Sequence, residues 1–149
     1  MDYIRAIAIT ILVLVAITDV REARIPNVLL VGLTGEWALS ETISQICKTP
    51  VFTGEEVVER LLLALFVAAI LYPFFIIGGL GAGDIKLLAA TILVCKKPVE
   101  FLFLSFLIGA VFGVFKTVYE RVIKGNSGLR IGIHMGVPVL LAYCMAVYL

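Results

Sequence analysis

The sequence predicts an all-α protein, a polytopic membrane protein with about six transmembrane helices in one bundle. Hydrophobic residues fill 62% of its 149 positions, and the mean hydropathy is +1.12. A soluble fold of this size would leave too much of that apolar surface in water. The apolar residues also gather into long uncharged stretches, which is the pattern of membrane spans. A third observation concerns the edges of two such stretches, where Asp19 closes one and Asp84 stands in a glycine-rich turn before another. A carboxylate at bilayer depth is costly enough to mark a functional site, and its natural partner is a second one.

The candidate spans are 3–20, 26–40, 58–77, 84–97, 99–118 and 132–149. The first reaches spanning length if Arg5 snorkels outward, and it is expected to stay in the mature chain, since it lacks a basic n-region and a small-residue cleavage site. The second carries Glu36 and two glycines. The third, fifth and sixth approach the roughly 20 apolar residues that a spanning helix needs. The fourth offers only about a dozen residues between Asp84 and Lys96, which at ~1.5 Å each cross little more than half of the hydrocarbon. The second and fourth segments therefore decide the topology. Nothing resembles a linker, so residues 1–149 are expected to form a single membrane-embedded domain. The net charge of +1 suggests neither a nucleic-acid partner nor a polybasic lipid patch, which leaves the bilayer as the expected surroundings.

If all six segments span, an even number of crossings separates Asp19 from Asp84 and both reach one face. Arg21, Arg24, Lys86, Lys116, Arg121, Lys124 and Arg130 share that face, against Arg5, Lys48, Arg60, Lys96 and Lys97 on the other. The positive-inside rule then turns the aspartates toward the cytoplasm. Glu41, Glu55, Glu56 and Glu59 fall outside, with both termini. A re-entrant second segment would break this pairing.

Gly78, Gly79, Gly81 and Gly83 let the backbone bend and approach another helix or an extended peptide closely. Asp84 then opens a helix at its positive end, which favours the ionised form. Apolar surroundings and a neighbouring carboxylate favour protonation, so a pair holding one proton is the expected compromise. Such a pair suits peptide hydrolysis without a metal or cofactor. The charged member draws a proton from water, and the protonated one donates to the scissile carbonyl.

Gly81-Ala82-Gly83-Asp84 followed by Lys86, Leu87 and Leu88, together with Asp19 followed by Arg24-Ile25-Pro26-Asn27, resembles the type IV prepilin peptidases, GxGD-type intramembrane aspartyl proteases. The closing His134-Met135-Gly136-Val137-Pro138 is also similar to short members of that family. The resemblance implies Asp19 and Asp84 as the catalytic pair, with Gly81, Gly83, Lys86, Pro26 and Asn27 near the substrate. It implies an enzyme of the cytoplasmic membrane, with its active site toward the cytoplasm. The substrates would be pilin-like precursors with a basic leader and a hydrophobic helix, cut at class III signal peptides. The paired C-x-x-C insertion of the long bifunctional members is missing here. The preflagellin peptidases share this size and plan, so an archaellin-like precursor is the alternative substrate.

Plainer readings stand beside these. Asp19 could end its helix among Arg21 and Arg24, and Asp84 could only satisfy backbone N–H groups at a helix start. Pro26 and Asn27 suit the first turn of the second helix. Lys86 points away from Asp84 on a regular helix and could be a snorkelling anchor. His134 reads as a satisfied histidine between helices, and one such residue makes no metal site. Cys47, Cys95 and Cys144 read as small buried apolar residues, although a Cys47–Cys95 disulfide is conceivable. Trp37, Tyr119, Tyr143 and Tyr148 read as interface anchors or packing. In a different class, the two aspartates could line the path of a small proton-coupled transport subunit.

Overall fold

The structure of the chain, a computed structural model, describes residues 2–48, 52–122 and 135–148. The described residues form six helices and no strand: α1 (Asp2–Glu22), α2 (Asn27–Ile46), α3 (Gly54–Ile76), α4 (Ala82–Val94), α5 (Pro98–Val122) and α6 (Gly136–Tyr148). The predicted all-α class and the number of helices are both met. Their lengths do not establish the expected six spans. Among the described residues only two stretches, Gly54–Ile76 and Pro98–Tyr119, are long and apolar enough by themselves to cross a membrane. α2 runs six residues past the expected 40, to Ile46. α4 is 13 residues long, about 20 Å at ~1.5 Å per residue.

The short fourth helix is explained by its position. α4 packs against α2, α3, α5 and α6, while α1 bridges α2 and α6 and α5 lies along α6. Leu87, Leu88, Thr91 and Ile92 are fully buried on α4, and they meet the buried Leu12, Leu33, Phe101, Val139 and Tyr143 of the surrounding helices. A helix enclosed by protein need not match the bilayer thickness. The outer helices expose apolar side chains instead: Phe66 is 62%, Phe103 69% and Phe115 74% accessible. Such a surface suits lipid and would be poorly solvated by water.

Local chemistry sets the helix ends that position the site. Thr53 and Glu56 form a capping box at the start of α3. The Thr53 N–H donates to Glu56 Oε2 at 2.8 Å and the Glu56 N–H to Thr53 Oγ1 at 3.3 Å, satisfying donors that the helix itself cannot. At the other end Gly78, with φ +74°, closes a Schellman motif. Its N–H donates to the Phe75 carbonyl at 3.0 Å, and that of Gly79 donates to Phe74 at 2.9 Å. The left-handed turn needs a residue without Cβ, and it sends the chain back into α4.

α1 ends differently. The Ala23 N–H bonds the Asp19 carbonyl at 3.0 Å, and Ala23 itself takes φ +50°, where a Cβ costs roughly 1–2 kcal/mol. Glycine would relieve that strain against roughly 0.5–1 kcal/mol of added chain entropy. Ala23→Gly is therefore expected to stabilise the protein by about 0.5–1 kcal/mol, read as a raised unfolding midpoint in detergent. A lowered midpoint would show that the left-handed turn carries no strain.

Among the cysteines, all three are free: Cys95 is buried as expected, Cys144 is partly buried, and Cys47 is exposed at the end of α2, against the buried reading. Tyr143 is packed in the core and Tyr119 is exposed. His134, Lys124 and Arg130 lie outside the described residues.

Candidate active site

Asp19 sits in the last turns of α1 and Asp84 in the first turn of α4, and both are buried, at 4% and 8% accessibility. The helix directions bring both to one end of the bundle. There the start of α6 meets them. The Gly136 N–H donates to Asp19 Oδ2 at 2.8 Å, and the backbone of Met135, the residue before it, lies within electrostatic reach of the Asp84 carboxylate. The two carboxylates are close enough to act on each other electrostatically. Residues 65 positions apart in sequence thus share one buried spot.

Asp84 also does the local work anticipated for it as a helix-start residue. Its Oδ2 accepts the Gly81 N–H at 3.2 Å, so Gly81 caps α4 with no side chain of its own and takes the N3 carboxylate in return. This bond explains Gly81: a Cβ there would lie 2.9 Å from Asp84 Oδ2. Gly83 meets the α1–α2 connection, where an added Cβ would stand 3.2 Å from the Ile25 Cβ. The lack of a Cβ at both glycines therefore serves close contacts within the chain, and the one at Gly83 lets the start of α4 lie against the segment after Asp19.

Pro26 is the N-cap of α2 in extended conformation, with φ −63° and ψ 128°, and its carbonyl accepts the Leu29 N–H at 3.1 Å. Asn27, the first residue of α2, and Lys86, on the exposed side of α4, face a different space from the aspartates. They lie in a groove of about 480 Å³ between α2 and α3, with Leu30, Val31, Thr34, Leu61, Ala64, Leu65, Ala68, Ala89, Ala90 and Leu93. α4 forms its floor. Among the described residues Lys86 is the only charged one lining it.

The type IV leader peptidase family matches residues 6–114, a stretch that holds both aspartates, the Ile25-Pro26-Asn27 run and the glycine turn. The chain belongs to this family. A search of the curated proteins and of the solved structures found no match. The chain, of a peptidase family associated with the membrane, has its matched residues in α1 to α5, whereas the amide that meets Asp19 comes from α6, beyond them. Sequence reasoning had no side chain to find there. The available signal is Gly136-Val137-Pro138 ahead of an apolar run, since proline in a first turn marks a helix start.

Proposed function

We propose that this leader peptidase is an intramembrane aspartyl endopeptidase that cleaves type IV pilin-like precursors at the cytoplasmic edge of the membrane, using Asp19, Asp84 and one water molecule. The observation that carries this reading is the placement of two buried carboxylates at one end of the bundle, within electrostatic reach of each other, in a chain of a peptidase family. The ionised carboxylate takes a proton from water as its oxygen attacks the scissile carbonyl carbon. The protonated one gives its proton to the carbonyl oxygen, forming a neutral tetrahedral diol. Collapse breaks the C–N bond as a carboxyl group protonates the leaving nitrogen. The products are a new carboxyl terminus and a new amine, and the pair again holds one proton.

One membrane-embedded domain with its active end toward the cytoplasm fits this chemistry, and Arg21, Arg24 and Lys86 lie at the aspartate end of the sequence elements. The apolar groove suits a hydrophobic substrate helix: the α2 wall repeats at Asn27, Leu30, Val31 and Thr34, and the α3 wall at Leu61, Ala64, Leu65 and Ala68. Both follow the helical i, i+3, i+4, i+7 spacing, and the alanines permit close approach. Lys86 would meet carbonyl or carboxylate groups where that helix unwinds. Lys86→Ala is accordingly expected to raise KM by about 3- to 10-fold, roughly 1 kcal/mol of binding, with kcat nearly unchanged. An unaltered KM would remove the groove from the substrate path.

Incubation of the purified protein in detergent with a precursor carrying a basic leader and an apolar helix tests the function directly. A shorter product, with its new terminus located by mass, is the expected result. Parallel pilin-like and archaellin-like precursors separate the two substrate classes. Intact substrate in the presence of folded protein, with proton uptake into proteoliposomes, would instead establish the transport reading.

A further inference from the structure

We infer that the first turn of α6 is a backbone clamp that holds the Asp19 carboxylate in place for its work with Asp84, and that Gly136 is its positioning residue. The inference deepens the aspartyl-peptidase reading and rests on it. Three observations carry it. The Gly136 N–H holds the Asp19 carboxylate at 2.8 Å, so the backbone of α6 fixes one member of the pair. That amide stands where a helix has N–H groups without internal partners and a partial positive charge, which offsets the repulsion between two buried carboxylates. Gly136 is also seated against α1 with no room for a side chain. An added Cβ would lie 2.9 Å from Asp19 Oδ2, 3.0 Å from Asp19 Cβ and 3.1 Å from Ala16 Cα.

The last two contacts are a backbone atom and the first atom of a side chain, so neither can swing away. A methyl group at position 136 must push α6 from α1 or turn the Asp19 carboxylate off its amide. The clamp is braced from the opposite side, where the Met135 side chain lies on α5 so closely that a Cβ at Gly109 would stand 3.1 Å from its Sδ. With one oxygen of Asp19 engaged by Gly136 and one of Asp84 by Gly81, rotation of both carboxylates is restrained before substrate arrives. Proton transfer between a carboxylate and a bound water depends on such restraint, and a shift of about 1 Å can cost on the order of 100-fold in rate.

Two measurements on the full chain test the clamp. Gly136→Ala is expected to lower kcat by about 100-fold with KM within about twofold of the unsubstituted protein, and to alter the shape of the kcat/KM against pH profile, which reports Asp19 and Asp84. A substitution that merely reduced the folded fraction would lower the rate and leave the profile in place. Gly35→Ala, at a position where a Cβ meets nothing within 4 Å, is the control and keeps full activity. The second measurement reads geometry without activity. A Cβ at position 136 would lie 3.0 Å from that of residue 19, about half an ångström short of the usual disulfide range, a gap that a small shift of α6 from α1 opens, so Asp19→Cys with Gly136→Cys is expected to cross-link under mild oxidation, as mapped by peptide mass. Absence of that cross-link overturns the placement of α6. A cross-link together with a fully active Gly136→Ala, or with an unmoved pH profile, overturns the positioning role. If the unsubstituted protein cuts no precursor, the peptidase reading fails and the catalytic clamp with it, whatever the cross-link shows.

Discussion

Asp19→Asn and Asp84→Asn are each expected to lower precursor cleavage by at least about 10⁴-fold while leaving the fold in place. The size of the loss follows from the two carboxylates acting as one unit: with either replaced, no group remains to hold the second role in the proton exchange, and effects of such units are strongly non-additive. The double variant is therefore expected to be no slower than either single one. The fold survives because asparagine keeps the shape and one carbonyl oxygen. At position 19 that oxygen can still accept the Gly136 N–H, and at position 84 it can still accept the Gly81 N–H. Removing one member of a repelling pair also costs little. Single-turnover cleavage followed by mass, beside thermal unfolding in detergent, decides the matter. Activity above about one per cent in either variant would exclude the dyad at the level of rate that the mechanism demands. Collapse of both variants would assign the aspartates a structural role.

Much of this site was legible in the sequence because its cost was. Two aspartates at the edges of apolar stretches, and glycines clustered before one of them, stand out against a composition that otherwise avoids charge. The six helices were legible for the same reason, each bounded by polar or glycine-rich breaks. What escaped has two physical causes. Backbone donors carry no residue signature, so the Gly136 amide that holds Asp19 was invisible until α6 was placed against α1. Burial by neighbouring protein is equally silent: the 13 residues of α4 look too short for a membrane because hydropathy does not reveal that four other helices surround them. Glu36, which weakened the second segment as a span, is accommodated by facing inward. Its oxygens are buried and find no hydrogen-bond partner among the described residues.

Arg60 was counted in the sequence only as a charge in the topology vote, yet the structure gives it a second large expected effect. It is 5% accessible, and its guanidinium reaches from α3 to the end of α4. There it donates to the Cys95 carbonyl, to Lys96 at 3.1 Å and to Ile92 at 3.5 Å. Its other face lies 3.8 Å from the centre of the Phe52 ring. A helix end enclosed by protein cannot turn its orphan carbonyls to water, and a cation at that end also meets the negative pole of the helix. Removing the guanidinium leaves buried acceptors unpaired and forfeits a cation–π contact, so Arg60→Ala is expected to cost roughly 2–4 kcal/mol. Arg60→Lys is expected to recover only part of that, because one ammonium cannot reproduce the planar fork that spans several carbonyls. Unfolding in a denaturing detergent would measure both. The activity effect travels along α4, whose far end holds Asp84 about 17 Å away at ~1.5 Å per residue. The Ala variant is therefore expected to lose activity at temperatures below those that weaken the unsubstituted protein. Equal stability of Arg60→Ala and the unsubstituted chain would mean that the end of α4 reaches water, and that α4 is not the enclosed centre on which the placement of Asp84 depends.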